Sequence, residues 1–340
     1  FWDEGGSEPT FCFRETRDPP QLMGPKRRVA GVLAAAALES EHLVSLMAGA
    51  DERSWFYRIT ERKNLEPVWS GTFSDPELGL TYPRHLASLG GEVLAFGTDR
   101  DGALRVARLG STHQMVPVEA SLKGAALPPP DPQAKPESGS ASANQAASQP
   151  TVPQVAPPVS FASTTDDGGR LLLVWRVLRD PLQGRHSPGE TRWTWFDGQR
   201  FGPLQVAPKD LAAFAVCRAS GFGDEAERVL LLGLAPEDRG PRIEVWGLAG
   251  EAFQLQPQAL DYPREGFAGQ AGLAALAARE LRFGPDKAPR LVVLAQIGGA
   301  IRWRVRDGQG WGPWEDFARL PAEQRAVVYG WFGAVLALCA

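Results

Sequence analysis

The chain has 340 residues, 43% hydrophobic and 22% charged, with a formal net charge of −4. That composition excludes whole-chain disorder, and the acidic balance excludes a broad basic face for nucleic acid. Three cysteines without a C-x-x-C pair and four scattered histidines exclude a disulfide scaffold and give no metal-ligand spacing, so neither a metal nor another cofactor is expected.

Residues 1–28 read as an N-terminal extension. Val29–Leu38 is a ten-residue apolar run behind the basic Lys26–Arg28, which imitates the apolar part of a signal peptide. The polar residues upstream favour a buried strand instead. From residue 29 onward the chain repeats a unit: an apolar strand, a Gly/Asp turn, an alternating strand with large residues, then a short strand after Gly or Pro. Copies begin in 42–71, 92–120, 170–207, 228–257 and 290–318. Their alternating strands align on Trp55/Tyr57, Leu104/Val106, Trp193/Trp195, Ile243/Val245 and Ile301/Trp303. The first members lie 49, 89, 50 and 58 residues apart, and the 89 falls to 57 once a 32-residue insertion is set aside. A period near 50 belongs to propeller blades.

Each copy follows a segment rich in small residues, such as VAGVLAAAAL (29–38) and GLAALAA (272–278). Small residues suit strands crowded round a propeller axis, although the alanines also favour helix by propensity. The expected fold is all-β, a β-propeller of five or six four-stranded blades. Blades 1–2 occupy 29–126 and blades 3–5 occupy 159–320. A sixth blade would be assembled from Thr10–Arg14 and Val327–Leu338. Between the halves, 127–158 has no aromatic residue and is dominated by Pro, Ala, Ser and Gln. Such a stretch buries too little to offset its ordering entropy and is expected to be disordered.

Residues 321–340 open with Pro321 and Glu323, a helix-start pair, and 326–340 carry no charge. They are expected to be the start of a transmembrane helix or, alternatively, a closing strand. The first reading places the protein in the cell envelope, anchored in the membrane with the propeller extracytoplasmic.

The fifth copy, AIRWRVRDGQGWGPWEDF (300–317), resembles blades of lectin-type propellers of the PLL and tectonin kind: an aromatic strand, a Gly-rich turn, then W-x-x-W. TDRDGAL (98–104) and RWTWFDGQRFGPL (192–204) are similar. The resemblance implies a propeller with ligand sites on or between blades. TDDGGRLL (165–172) resembles the Asp-box of sialidase-type propellers, which is a structural turn there and reads as an Asp-Gly hairpin here.

No G-x-S-x-G, H-E-x-x-H or P-loop motif is present. The expectation is therefore a non-catalytic propeller, not an enzyme, that binds a protein, peptide or glycan partner and no nucleic acid. Its candidate ligand platforms are Trp311, Trp314, Trp69 and Trp195, the first two spaced by three around Gly312-Pro313. The alternatives are a glycan-processing hydrolase of sialidase-like type, which needs an arginine cluster, an acid and a tyrosine in one pocket, and a soluble structural propeller.

Overall fold

The second strands of the blades are nearly continuous apolar runs rather than alternating ones. LLLVWRVL (171–178) is buried at every position, which means a sheet covered on both faces. The computed structural model shows how. It describes residues 10–14, 22–28, 32–38, 42–48, 54–61, 67–74, 78–80, 82–127, 158–179, 188–220, 227–235, 242–257, 260–261, 276–282, 286, 288–297, 300–307 and 310–316.

Strands β1 (Thr10–Arg14) and β2 (Leu22–Arg28) form an antiparallel pair. Blade 1 is β3 (Val32–Leu38), β4 (His42–Ala48), β5 (Ser54–Glu61) and β6 (Pro67–Ser74). Blade 2 is β7 (Tyr82–Leu89), β8 (Glu92–Thr98), β9 (Leu104–Leu109) and β10 (Met115–Leu122). Blade 3 is β11 (Pro158–Thr165), β12 (Leu171–Leu178), β13 (Gly189–Phe196) and β14 (Gln205–Val206). Blade 4 is β15 (Phe214–Ser220), β16 (Glu227–Ala235), β17 (Arg242–Ala249), β18 (Ala252–Leu255) and β19 (Leu260–Asp261), where β18 and β19 both pair with β17. Blade 5 is β20 (Leu276–Arg282), β21 (Pro289–Ile297), β22 (Ala300–Asp307), β23 (Gly310–Trp311) and β24 (Glu315–Asp316), the last two both on β22.

This is an all-β, five-bladed propeller of antiparallel sheets. The first strands of consecutive blades lie against one another from β3 through β7, β11 and β15 to β20. The alanine-rich β3 and β20 are strands despite their helical propensity, because each is zipped in register to its neighbour. Thr10–Arg14 of the expected sixth blade pairs with Leu22–Arg28. Val327–Leu338, the transmembrane reading and nearly all of 127–158 lie outside the described residues. Among the described residues, no helix is long and apolar enough to cross a membrane.

Apolar layers fill the four seams between consecutive blades. Val44, Leu46, Tyr57 and Ile59 of blade 1 pack on Leu86, Val93 and Ala95 of blade 2. Phe96 and Leu104 of blade 2 meet Leu171, Leu173, Trp175 and Phe196 of blade 3. Leu172, Val174 and Trp193 on the other face of blade 3 meet Leu231, Trp246 and Phe253 of blade 4. Leu230, Leu232 and Val245 of blade 4 meet Leu291 and Val293 of blade 5. One polar group inside a seam shows how it is satisfied: the indole N–H of Trp175 donates to the carbonyl of Ala125 at 2.9 Å. The buried Arg176 guanidinium grips Asp210 through Nε and Nη2, both at 2.7 Å.

Antiparallel connectivity puts the turns between first and second strands and between third and fourth strands on one face of the ring. The second-to-third turns and the links between blades lie on the other.

Candidate functional site

The turn from β11 to β12 is built by one aspartate. Oδ1 of Asp166 accepts the backbone N–H of Arg170 at 2.7 Å, and Oδ2 accepts its Nε–H at 2.8 Å. The backbone N–H of Asp166 donates to the Arg170 carbonyl at 2.9 Å. Gly169 takes φ +72°, a value that other residues rarely adopt. So held, the Arg170 guanidinium lies 4.7 Å from the ring centroid of Trp195 on β13. Trp195 is half-buried against the seam between blades 3 and 4.

Across that seam blade 4 contributes Arg228 and Val229 at the start of β16, and Leu248, Gly250 and Glu251 around the β17–β18 turn. Together with Asp166, Asp167, Arg170 and Trp195 they line an open cleft of about 270 Å³. Asp167 is 79% exposed and pairs with Arg218 of β15, so an ion pair also bridges the two blades. Glu251 is exposed and has no hydrogen-bond partner among the described residues. Three carboxylates, two guanidiniums and an indole therefore converge in one cleft. Such a set offers hydrogen-bond donors and acceptors to hydroxyl groups.

The four tryptophans singled out in the sequence are not brought together. Trp195 lines the cleft. Trp69 lies in the blade 1 sheet with its ring centroid 5.1 Å from Tyr57 and 5.9 Å from His113, near the seam with blade 2. It lies against Gly71, where a Cβ would meet the indole at 2.2 Å. Trp311 and Trp314 pack against the seam between blades 4 and 5, with the Arg304 guanidinium 6.0 and 5.9 Å from their centroids.

Tyr57 is no nucleophile for this cleft. Its hydroxyl donates to the His113 carbonyl at 2.6 Å in the seam between blades 1 and 2, and burial pushes its pKa up. Asp99 accepts the backbone N–H groups of Asp101 and Ala103 on Oδ1 and pairs with Arg105 through Oδ2. Among the described residues no group of three metal-ligating side chains comes together.

The sequence reading missed Asp166, Arg170 and Glu251 as one constellation. A signal was present. Asp–x–x–x–Arg followed by four apolar residues occurs at 166–174, 224–232 and 286–294, each running from the link between a blade's first and second strands into the second. Arg290 pairs with Asp286 at 2.9 Å much as Arg170 pairs with Asp166. Among the described residues, only blade 3 of these three places an indole beneath the arginine. In blade 4 the equivalent position is Gly247, where a Cβ would come within 2.6 Å of the Arg228 Cδ.

No family model matches the chain, and no curated protein matches it. Among solved structures, the α-L-arabinanase of Penicillium chrysogenum, complexed with arabinobiose, superposes with a TM-score of 0.50 at 10% identity, over 84% of this chain and 80% of that one. The α-L-arabinofuranosidase of Fusarium graminearum gives 0.48 at 13% identity, over 90% and 84%. A lectin of Aleuria aurantia gives 0.42 at 8%, over 85% and 80%.

The arabinanase likeness establishes the fold. It also corrects the expectation of a non-catalytic module that is not an enzyme, because the same architecture carries an arabinanase. The absence of linear motifs does not exclude an active site on this fold, for a physical reason. In a propeller the groups of one site come from turns of different blades, so no short motif joins them.

Proposed function

We propose that the chain is a glycan-processing hydrolase whose active site is the cleft between blades 3 and 4. The observation that carries this reading is the convergence of Asp166, Asp167 and Glu251 with Arg170 and Arg228 around Trp195. Glycoside hydrolysis needs two carboxyl groups flanking the scissile bond, one to protonate the leaving oxygen and one to act as base or nucleophile. Asp166 is committed to its turn. Asp167, beside the Arg218 cation, and the exposed Glu251 are the two carboxyl groups left for that work. This two-carboxylate chemistry replaces the tyrosine nucleophile of a sialidase, since no tyrosine lines the cleft.

The likeness to an arabinanase complexed with arabinobiose makes arabino-oligosaccharides the first substrates to try. Reducing-sugar release should be measured over arabino-, xylo- and galacto-oligosaccharides. We expect turnover of at least one neutral substrate, cut by about 100-fold or more in each of Asp167→Asn and Glu251→Gln. Turnover that both variants leave intact would place the chemistry elsewhere. No turnover across the panel would remove the hydrolase reading.

A further inference from the structure

Resting on that reading of the cleft, we infer that Arg170 is a substrate-contacting, specificity-determining residue for neutral glycan units, and that Asp166 is its positioning residue. The outer face of Trp195 is not open to a sugar, because the Arg170 guanidinium covers it at 4.7 Å. What a ligand meets on that wall is the guanidinium. Its orientation is fixed on two sides: Nε and Nη2 both lie 2.8 Å from Asp166 Oδ2, and the indole fixes its plane. Nη1 has no partner among the described residues, and 54% of the side chain surface is exposed. The cleft therefore presents one oriented, planar donor edge.

Charge decides the class of ligand that edge takes. The lining carries Asp166, Asp167 and Glu251 against Arg170 and Arg228, and Arg218 beside it is already paired with Asp167. Three anions against three cations leave no excess positive charge for a carboxylated or sulfated sugar, which would also face Asp167 and Glu251. A hydroxyl is suited to both walls. It accepts from Arg170 Nη1 and donates to a carboxylate. A cleft of about 270 Å³ lies just below the range of about 300 Å³ and upward that holds drug-sized ligands, so it accommodates a short glycan end rather than a long chain.

The test is kinetic, with arabino-oligosaccharides, xylo-oligosaccharides and oligogalacturonate as probes. Arg170→Met should raise KM for the neutral substrate about tenfold or more, the loss of one charge-assisted hydrogen bond, with kcat within about threefold. Arg170→Lys keeps the charge but not the planar edge, so it should restore only part of that loss. Asp166→Asn should raise KM by about threefold to tenfold at unchanged kcat. A thermal midpoint within a few degrees of the parent confirms that the turn still folds. If KM stays within about twofold in Arg170→Met, or if oligogalacturonate is the better substrate, the inference fails. Loss of turnover in Asp167→Asn and Glu251→Gln alongside an unchanged Arg170→Met would sink this inference alone. Intact turnover in both carboxylate variants would sink the site reading beneath it. Absence of turnover and of calorimetric binding for every neutral probe would overturn both.

Discussion

His85 on β7 shows what burial does to a single weak base. Its Nε2 lies 2.8 Å from Ser163 Oγ on β11, and its ring stacks on Phe161 at 5.8 Å with 13° between planes. Removal from water lowers its pKa to about 4, because the charged form loses hydration and gains no anion. The folded pKa lies below the unfolded one, so between about pH 6.5 and pH 4 the unfolded chain binds a proton that the folded chain refuses. His85 therefore costs no stability above about pH 6.5. It removes about 3 kcal/mol in total as the pH falls to about 4. Urea unfolding at pH 7.0 and pH 4.5 should show a smaller acid loss in His85→Gln than in the parent. Equal losses would mean that the ring is solvated.

At the scale of elements, the blade seam is the unit of stability. Phe96 of β8 and Phe196 of β13 are fully buried and meet edge to face, with centroids 5.7 Å apart and planes at 87°. Phe201 closes the cluster at 4.9 Å from Phe196. Such pairs contribute about 0.5–1.5 kcal/mol beyond the area they bury. A double-mutant cycle of Phe96→Leu and Phe196→Leu should return a coupling of that size, with each single change costing more than the coupling itself. Additive single effects would show that the two sheets are held by area alone. The same logic explains why blade 3 reads so clearly in sequence. Its second strand faces blade 2 with Leu171, Leu173 and Trp175 and blade 4 with Leu172 and Val174, so nothing polar interrupts it until Arg176.

At the scale of the molecule, the five blades rest on one another in sequence, whereas 128–157 is set apart by composition. We expect that replacing 129–156 with a 12-residue Gly/Ser linker, spanning about 19 Å on average, will leave the thermal midpoint within about 2 °C of the parent. Calorimetry checks this. A loss worth more than about 2 kcal/mol would show that the segment packs as structure. The ends of the segment are a different matter. Ala125, Ala126, Leu127 and Pro158 are buried, and Arg192 Nη1 donates to the carbonyls of Gly124 and Ala126, so a deletion must stop short of them.

The repeat period, the strand and turn chemistry and the all-β class were legible in the chain. They are local properties: apolar runs, Asp-Gly turns and the recurrence of aromatic third strands at Tyr57, Trp193 and Trp303. The Asp–x–x–x–Arg turn of three blades was equally local and was there to be read. Whether Val32–Leu38 and Leu276–Arg282 became helix or strand was not local, because alanine's preference yields only to a pairing partner in space. The cleft was beyond sequence reasoning altogether. Asp166, Trp195 and Glu251 lie in different turns and strands of two blades, and only the stacking of one sheet on the next puts them around one cleft. The tryptophans divide in the same way. Their number announced a blade architecture, but which of them faces a cleft and which packs beside an arginine is set by the neighbouring blade, whose distance along the chain carries no information about its distance in space.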